Sequence, residues 1–342
     1  MARIAYQWAM LAKAIDQALD FAVLPGYTSL GYRLRERLVP RGPLELNGRS
    51  VIVTGASSGI GEAACTGLAR AGATVHMLVR NPDKGQVSLD RVRGAIDGAD
   101  LHLHRCDISD LDSVRDFAAA FRKRGEPIGA LVNNAGVLPP ERIASAQGFE
   151  LTFATNVLGP FLLTALLLPA LRDGAPSRVI NVSSGGMYSA KVDLEDLQLA
   201  RRDFDGTRAY AHTKRIEVAL SEEWDRRLGR DDIDVHSTHP GWVATAGLSD
   251  SLPRFEQVLK PLLRDPEQGA DTIVWLAGSP LAAGRGGEFW HDRRPRPKHR
   301  VPWTRETPEE RSELFGECER MCGLAGGGAT TVDPALASAD SG

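Results

Sequence analysis

Two side chains suited to proton transfer stand four residues apart in the stretch Tyr210-Ala211-His212-Thr213-Lys214. The apolar pattern predicts a helix over 210–228, which places Tyr210 and Lys214 on one face, one turn apart. A phenol with its ordinary pKa of about 10 is almost wholly protonated at neutral pH. A neighbouring ammonium lowers that pKa, so the pair predicts a general acid–base that exchanges a proton with a substrate oxygen. The alternative is a tyrosine that only packs in the core.

A glycine-rich stretch, Thr54-Gly55-Ala56-Ser57-Ser58-Gly59-Ile60-Gly61, follows a short apolar run and precedes a helical pattern. In a strand–turn–helix unit, backbone N–H groups and the helix dipole face an anion, and glycines let a pyrophosphate approach closely. The pattern therefore predicts dinucleotide binding rather than a plain turn.

The choice of dinucleotide depends on Arg80, which lies 19 residues after Gly61 at the end of a predicted strand. An acidic residue about 20 positions past the glycines would bond the ribose 2′-hydroxyl of NAD, whereas an arginine suits the 2′-phosphate of NADP. NADP is favoured over NAD, with a plain surface arginine as the alternative. Asp107, at the end of the next strand, is expected to face the same crevice and accept from the adenine amino group.

Three candidate metal ligands, His102, His104 and Cys106, alternate onto one face of a strand that we place in the centre of the sheet. A covering helix would crowd them, so we interpret them as packing residues and not as a zinc site. Cys318 and Cys322 would supply two ligands at most. The sequence predicts no metal site.

The elements that carry these residues alternate between two types. Apolar, β-branched runs typical of strands covered on both faces lie at 51–53, 74–79, 101–103, 130–132, 178–182, 234–238 and 287–290. Helical patterns lie at 61–71, 113–124, 148–171 and 210–228. This alternation predicts an α/β fold, a doubly wound parallel sheet of Rossmann type in a single domain, residues 46–290, with N- and C-terminal extensions.

The N-terminal extension, residues 1–45, is predicted to begin with a helix and to continue as an irregular segment over 25–47. The apolar stripe of the helix comprises Ile4, Trp8, Leu11, Ile15, Ala18 and Ala22. We expect this stripe to pack on its own chain or on a sister subunit, with contact to a membrane surface through residues 4–24 as the alternative. Removal of Met1–Gly42 is expected to leave the remaining domain folded.

The C-terminal extension, residues 291–342, has three parts. Residues 291–300 are basic and are predicted to form a solvated tail. Residues 307–322 predict an amphipathic helix with Thr307 as its cap before Pro308. Residues 323–342 are small, polar and rich in glycine, which predicts disorder.

Composition excludes several classes of protein. Among 342 residues, 41 Lys and Arg stand against 44 Asp and Glu, so the net charge of −3 provides no basic field for nucleic acid. Four cysteines without a CxxC pair fit a reducing compartment, and we expect a cytoplasmic location. Charged residues interrupt the most apolar N-terminal segment, so it predicts neither a membrane span nor a signal peptide.

Several motifs occur in one order along the chain: TGASSGIG at 54–61, NNAG at 133–136, Asn156, Ser183-Ser184, Tyr210 with Lys214, and Pro240-Gly241. Together they resemble the short-chain dehydrogenases/reductases over roughly residues 46–290. The resemblance implies that Tyr210 is the acid–base and that Lys214 also binds the nicotinamide ribose. It implies that Ser184, rather than Ser183, holds the substrate oxygen, and that Asn156 distorts its helix to support a water beside the lysine.

The resemblance also extends the predicted cofactor contacts. The full set is Gly55, Ser57, Ser58, Gly59, Ile60, Gly61, Arg80, Asp107, Ile108, Asn134, Ala135, Gly136, Tyr210, Lys214, Pro240, Gly241, Val243 and Thr245. Many NADP-dependent members have a basic residue where this chain has Ser58, so the preference for NADP depends on Arg80.

The function implied is an NADP-dependent oxidoreductase that interconverts an alcohol with its ketone or aldehyde. Ser184 and Tyr210 are 26 residues apart, about twice the family's usual separation, which implies an insertion in 185–206 beside the substrate. Similar spacings in retinol-dehydrogenase-like members imply a lipophilic substrate. The alternative is a catalytically silent dinucleotide-binding scaffold or regulator, against which the intact set of Asn156, Ser184, Tyr210 and Lys214 argues. A homo-oligomer stays open.

Overall fold

A computed structural model of the protein describes residues 2–39, 41–201, 203–245, 257 and 259–324. The strands are β1 (Ser50–Thr54), β2 (Thr74–Val79), β3 (Leu101–Arg105), β4 (Ile128–Asn133), β5 (Ser177–Val182), β6 (Ile233–Thr238), β7 (Phe289–His291) and β8 (Arg294–Arg296). In the described part of the chain they form one eight-stranded sheet of order β3-β2-β1-β4-β5-β6-β7-β8. Neighbouring strands are parallel from β3 across to β7, and β8 pairs antiparallel with β7.

Helices cover both faces of this sheet. They are α1 (Ala2–Phe21), α2 (Val23–Tyr27), α3 (Ser29–Leu38), α4 (Gly59–Arg70), α5 (Pro82–Ala95), α6 (Leu111–Arg122), α7 (Leu151–Phe153), α8 (Gly159–Asp173), α9 (Gly206–Leu228), α10 (Pro266–Gly278) and α11 (Pro308–Met321). A π-helical segment, Ala154–Leu158, joins α7 to α8.

The core consists of two apolar layers, one on each face of the sheet. Val51 and Val53 of β1 belong to the layer that includes α4 and α10, whereas Ile52 belongs to the layer that includes α6, α8 and α9. Alternate residues of a strand point to opposite faces, so the consecutive apolar residues Val51, Ile52 and Val53 supply both layers. The structure confirms the doubly wound α/β fold.

The histidine-rich strand β3 lies at the edge of the sheet, and its predicted central position is wrong. His76 of β2 stacks between His102 and His104, with ring centroids 4.9 and 5.3 Å away. Burial lowers the pKa of His104 to about 4. These side chains pack with one another, and the described residues contain no group of three ligands arranged for a metal.

The N-terminal extension is more ordered than the sequence predicts, because α2 and α3 occupy part of the segment 25–47 expected to be irregular. Pro25 lies in the first turn of α2, where its missing N–H removes no helical hydrogen bond. A Cβ atom on Gly31 would lie 2.3 Å from the carbonyl oxygen of Pro25. The glycine therefore allows α3 to pack directly against α2.

The segment 291–300 is not a solvated tail, which corrects the prediction for this segment. His291, Asp292, Arg293 and Arg296 are all buried. Asp292 pairs with Arg264, at 2.6 Å, and with Arg35 of α3, at 2.9 Å. A run of charged residues predicts exposure to solvent, but these buried charges are paired with residues that are distant in the sequence.

Two aspartates thus join the N-terminal helices to the first part of the C-terminal extension. Asp16 of α1 accepts from Arg35 at 2.9 Å and from Arg296 at 2.7 Å. We call Asp16, Arg35, Arg264, Asp292 and Arg296 the arm seam. Arg35, Arg264 and Asp292 have side chains at most 4% exposed, so the N-terminal helices are built into the domain.

Two further features complete the described fold. A capping box joins Thr307 and Glu310 at the start of α11. Residues 325–342, where disorder was predicted, lie outside the described residues.

Of the described helices, the stretch Leu151–Asp173 is long and apolar enough to cross a membrane, but it is mostly buried as a core helix.

Candidate active site

The glycine loop after β1 packs so tightly that side chains cannot be accommodated. A Cβ atom on Gly61 would lie 2.2 Å from the carbonyl oxygen of Gly55, and one on Gly55 would lie 2.9 Å from Cα of Ala135. Gly55 also has a φ of +66°, a value that favours glycine. Glycine is therefore required at both positions for the turn between β1 and α4, the strand–turn–helix arrangement typical of a pyrophosphate site.

Hydrogen bonds join this loop to the end of β4. The hydroxyl oxygen of Thr54 accepts from the backbone N–H groups of Asn134 and Ala135, both at 2.9 Å. The side-chain amide of Asn134 donates to the carbonyl oxygen of Thr54 at 3.0 Å. The carboxyl ends of β1 and β4 thus form one continuous edge.

Residues after β6 close over the same loop. A Cβ atom on Gly59 would lie 3.2 Å from Cγ2 of Thr245. A Cβ atom on Gly269 of α10 would lie 2.7 Å from a methyl of Val243 and 3.3 Å from Cγ1 of Ile60. The structure therefore brings Gly59, Ile60, Val243 and Thr245 together, as the resemblance implies for cofactor contacts.

Other predicted contact residues are placed by their own local structure. Ser57 is half-buried, and Ser58 is the exposed N-cap of α4. Arg80 is exposed immediately after β2, at the same edge of the sheet. Asp107 uses Oδ1 to accept from the hydroxyl and backbone N–H of Ser109, at 2.7 and 3.0 Å. This oxygen is therefore engaged in its own turn, whereas the sequence suggested an adenine contact.

Ile108 and the Pro240-Gly241 turn owe their positions to neighbouring elements. Ile108 is buried, and its carbonyl oxygen lies 2.0 Å from where a Cβ atom on Gly159 would stand, which requires glycine at the start of α8. Pro240 accepts from Arg264 at 3.2 Å. Gly241 has a φ of +82°, and the Arg264 guanidinium fills the space beside it. The arm seam therefore supports this turn.

The predicted catalytic side chains meet beside the NNAG turn. The ammonium of Lys214 lies 5.4 Å from the ring centroid of Tyr210. A Cβ atom on Gly136 would lie 3.4 Å from both Asn156 Oδ1 and Lys214 Nζ. Gly136 therefore lies between the glycine loop edge and the residues predicted to transfer the proton.

Asn156 is held by the π-helical segment that the resemblance implies as a helix distortion. Its Oδ1 accepts from the backbone N–H of Val137 at 3.0 Å, and its Nδ2 donates to the hydroxyl of Thr213 at 3.0 Å. The asparagine is fully buried. It fastens the loop after β4 to α9, next to Lys214.

The two serines after β5 have different surroundings. The buried Ser183 hydroxyl donates to the carbonyl oxygen of Lys214 at 2.7 Å, so it is committed to the fold. The half-buried Ser184 caps the short 3₁₀ helix Gly185–Ser189 and accepts from the backbone N–H of Gly186 at 3.3 Å. Ser184 is the serine with a hydroxyl accessible to a substrate oxygen.

Lys214 has a carboxylate partner that the sequence analysis missed. Its ammonium donates to the carbonyl oxygen of Val182 at 2.9 Å and to Glu217 Oε1 at 2.7 Å. Burial disfavours the charged amine, but the charges of Glu217 and Tyr210 outweigh this, and the pKa of Lys214 lies above its ordinary value. A glutamate three residues after the lysine on one helix face was the available signal.

Comparison with known proteins decides the family. A family model described as short chain dehydrogenase matches residues 49–254. The chain is a short-chain dehydrogenase/reductase. As a member of this family it is an NAD(P)-dependent oxidoreductase that acts on alcohol and carbonyl groups.

Curated relatives of the enzyme share most of its length. It is 38% identical over 300 residues to Dehydrogenase/reductase SDR family member 12 of Bos taurus, covering 86% of this chain and 93% of the relative. Strings such as His239-Pro240-Gly241-Trp242 predict this similarity from the sequence. The enzyme is also 32% identical over 286 residues to Retinol dehydrogenase 13 of Homo sapiens, covering 81% and 85%.

Solved structures share the fold. An uncharacterised protein from Mycobacterium paratuberculosis matches with a TM-score of 0.68 and 27% identity, covering 83% of this chain and 97% of that one. The Pseudomonas aeruginosa RhlG/NADP active-site complex matches at 0.60 and 27%, covering 72% and 96%. A 7α-hydroxysteroid dehydrogenase complexed with NADH matches at 0.59 and 26%, covering 72% and 93%.

The N-terminal helices reach the active site of the enzyme through Tyr27, which the sequence analysis also missed. A Cβ atom on Gly185 would lie 2.7 Å from Cε2 of Tyr27. The carbonyl oxygen of Tyr27 accepts from the backbone N–H of Trp242 at 2.9 Å, and the two rings meet edge to face. Tyr27 therefore lies beside Gly185, the residue after Ser184, in a segment where no local sequence signal indicated a site residue.

The insertion after Ser184 is anchored to α9 and to the core of the enzyme. His212 Nε2 accepts from the backbone N–H of Asp193 at 3.0 Å, and burial lowers the pKa of this histidine to about 4. Val192, Leu197 and Leu199 are buried and face the core. The neutral histidine thus fastens the insertion to α9, two residues after Tyr210.

Proposed function

We propose that this oxidoreductase uses NADP to interconvert a lipophilic alcohol with its ketone or aldehyde. The observation that carries the proposal is the meeting of Asn156, Tyr210 and Lys214 beside Gly136 of the NNAG turn, with the half-buried Ser184 at the end of the neighbouring strand β5. The loop fits a dinucleotide because glycines that tolerate no Cβ atom make the turn that leads into the N-terminus of α4. A scaffold without turnover would not need this set of proton-transfer residues.

The proposed mechanism gives three side chains separate roles in one proton transfer. The nicotinamide cofactor, when bound, supplies or accepts the hydride. Ser184 donates its hydroxyl proton in a hydrogen bond to the substrate oxygen and orients it. Tyr210 gives a proton to that oxygen in reduction and removes one in oxidation. The Lys214 ammonium, 5.4 Å from the Tyr210 ring centroid, favours the negative charge that forms on the phenol oxygen when its proton leaves.

The proposed cofactor contacts follow the edge of the sheet. The glycine loop with Ser57, Ser58 and Ile60 would hold the pyrophosphate, and Arg80 would pair with the 2′-phosphate. The adenine side of the crevice would contain Asp107 and Ile108. Asn134, Ala135 and Gly136 would line the middle of the site with Tyr210 and Lys214. The nicotinamide side would be formed by Pro240, Gly241, Val243 and Thr245.

A lipophilic substrate is supported by the aromatic wall beside Ser184. Tyr27 and Trp242 meet there, and the insertion over 185–206 borders the same side. The similarity to a protein named Retinol dehydrogenase 13 agrees with an apolar substrate. Aromatic rings bury large apolar areas against such ligands.

We also propose a cytoplasmic protein whose N-terminal helices rest on an anionic membrane surface. The side chains of Phe21 and Leu24 are 89% and 52% exposed, and Leu30 of α3 is 54% exposed. Exposed Arg33 and Arg37 lie on the same face of α3 as Leu30. Apolar side chains flanked by cations fit the boundary between lipid headgroups and acyl chains. A homo-oligomer that covers this face is the competing outcome.

Tyr210→Phe tests the catalytic proposal because it keeps the ring and deletes the proton donor. NADPH consumption with a panel of ketones and aldehydes should fall by a factor of about 10²–10⁴, with NADPH binding retained. Lys214→Met should weaken NADPH binding as well, since it removes the proposed ribose contact. Turnover by Tyr210→Phe at near the parent rate would contradict the mechanism and favour the scaffold.

The membrane proposal is tested by co-sedimentation with vesicles that contain phosphatidylserine. Phe21→Glu with Leu24→Glu should abolish binding, whereas Val87→Glu, at an exposed apolar residue on α5, should leave it intact. Vesicle binding that survives the double substitution contradicts the proposal. A concentration-dependent dimer that the same substitutions disrupt would favour the oligomer.

A further inference from the structure

A buried carboxylate stands directly behind the lysine of the active site. Lys214 and Glu217 are joined at 2.7 Å between Nζ and Oε1, and their side chains are only 3% and 8% exposed. The mechanism above uses Tyr210 and Lys214 and assigns nothing to Glu217. Burial of a charge away from water is costly unless the charge is paired. The ionised Glu217 carboxylate therefore depends on Lys214 as its partner.

The second carboxylate oxygen of Glu217 has no partner among the described residues, and the residue lines a small cavity with both polar and apolar walls. This atom, Oε2, is buried and makes no hydrogen bond to the described residues. The cavity has a volume of about 20 Å³, and a space of roughly 10–15 Å³ or more holds one water. Its polar lining consists of Asn156, Thr164, Asn181 and Glu217. Glu217 therefore connects the ammonium to a space suited to a water.

The charges around Glu217 are few. Among the described residues, Lys214 on the same helix is the cation that acts on it, and the Ser183 hydroxyl, which donates to the Lys214 carbonyl oxygen, lies close by. The π-helical segment, α8 and β5 face the cavity with neutral side chains: Asn156, Val157, Pro160, Phe161, Thr164 and Asn181. Burial raises the pKa of the Glu217 carboxyl to about 7, although Lys214 and Ser183 act to lower it.

We propose that Glu217 is the internal counter-ion of Lys214, a positioning residue that binds a proton when the lysine turns to the cofactor ribose. Without cofactor, the carboxylate shares the charge of the ammonium. When ribose hydroxyls draw the ammonium away, the carboxylate loses its partner in a dry site. A proton from solvent then binds to Oε2; one O–H bond forms, and Lys214 keeps its protons. This proposal rests on the ribose contact proposed for Lys214.

The test is the number of protons taken up when NADPH binds at pH 7, measured by calorimetry in buffers of different ionisation enthalpy. A carboxyl with a pKa near 7 is half-protonated at that pH, so its full protonation would take up about half a proton. Wild-type enzyme should therefore take up about 0.3–0.5 proton more than Glu217→Gln. Ionisation of the cofactor phosphate contributes equally to both and cancels in the difference.

Glu223→Gln is the matched control, because Glu223 is a buried carboxylate on the same helix that pairs with Arg226 and Arg227. It should take up as many protons as the wild type, as should Glu217→Asp, which keeps the carboxyl. Glu217→Met repeats the experiment if the glutamine variant does not fold.

Equal proton uptake by wild type and Glu217→Gln would overturn the proposal. Binding needs no turnover, so failure to reduce any carbonyl would count against the proposed function alone. If NADPH does not bind, the NADP assignment is wrong. The same titration with NADH then tests the proposal for Glu217.

Discussion

The nucleotide-binding edge and the arm seam hold distant parts of the same domain together by different physical means. At the edge, glycines and backbone hydrogen bonds bring β1 and β4 together with almost no charge. At the seam, buried arginines and aspartates join α1 and α3 to β8 and to the turn that precedes it. Close packing at the edge requires glycines without side chains. Neutralisation of the buried charges at the seam requires every ion-pair partner.

This difference determines how each region tolerates change. Removal of one partner from a buried ion pair leaves an uncompensated charge, which costs far more than the pair itself contributes. A change at the exposed rim of the nucleotide edge alters a contact to solvent or ligand instead. The seam should therefore control stability, and the edge should control ligand choice.

The largest expected effect follows from deletion of Met1–Gly42, the change that the sequence analysis expected to be harmless. The deletion removes Asp16 and Arg35 and leaves Asp292 and Arg296 without those partners. We expect loss of the cooperative urea-unfolding transition. Phe21→Ser, at a residue 89% exposed, should keep it. A truncated protein that unfolds cooperatively would show that the seam is dispensable.

Asp292→Ala should produce the next largest effect, about 3–5 kcal/mol of unfolding free energy in urea titration. The substitution leaves Arg35 and Arg264 facing each other without their shared carboxylate. Asp231→Ala breaks the solvent-exposed pair with Arg172 and should cost about 1 kcal/mol or less. Similar losses for the two variants would remove the distinction between the regions.

The seam region should also make stability fall in mild acid. Burial lowers the pKa of His291 to about 3, whereas an unfolded histidine has a pKa of about 6.5. The unfolded chain therefore binds a proton between these values, and stability present above pH 6.5 is lost as pH falls towards 3. His291→Gln should reduce the slope of unfolding free energy against pH by up to about 1.4 kcal/mol per pH unit near pH 5.

An unchanged slope in His291→Gln would mean that this histidine is not kept neutral by the fold. His102→Gln, at the sheet edge, is a suitable control, since His102 is partly exposed next to Asp100.

The smallest effect is expected at the nucleotide edge. Arg80→Ala should weaken NADPH binding about tenfold and leave NADH nearly unchanged, because a charge-assisted bond contributes roughly 1.5–3 kcal/mol. Fluorescence titration with both cofactors measures this, with Arg93→Ala on α5 as the control. Equal weakening of NADPH and NADH would disprove the selectivity proposed for Arg80.

The sequence predicts the nucleotide edge well because its requirements are local. The glycines of the loop and the apolar runs of β1 and β2 report a backbone geometry that neighbouring residues alone determine. Lys214 and Tyr210 were predictable for the same reason, since a helix fixes their spacing.

The seam was not predictable because its charges have distant partners. Arg296 lies in a basic run that indicates solvent exposure, and only the folded chain places Asp16 against it. Strand order is also a long-range property, which explains why β3 was placed in the centre of the sheet. Tyr27 follows a proline and a glycine, so its segment predicted a loop rather than a wall of the active site.

The pairing of Arg35 with Asp292 spans 257 residues, and this separation has a consequence for synthesis on the ribosome. Chain growth at roughly 5–20 residues per second means that α3 emerges about 13–50 s before its partner exists. During that interval its arginine and the apolar faces of the N-terminal helices are open to chaperones or to lipid. We expect the N-terminal helices to be made before the sheet and to dock onto the domain after it has formed.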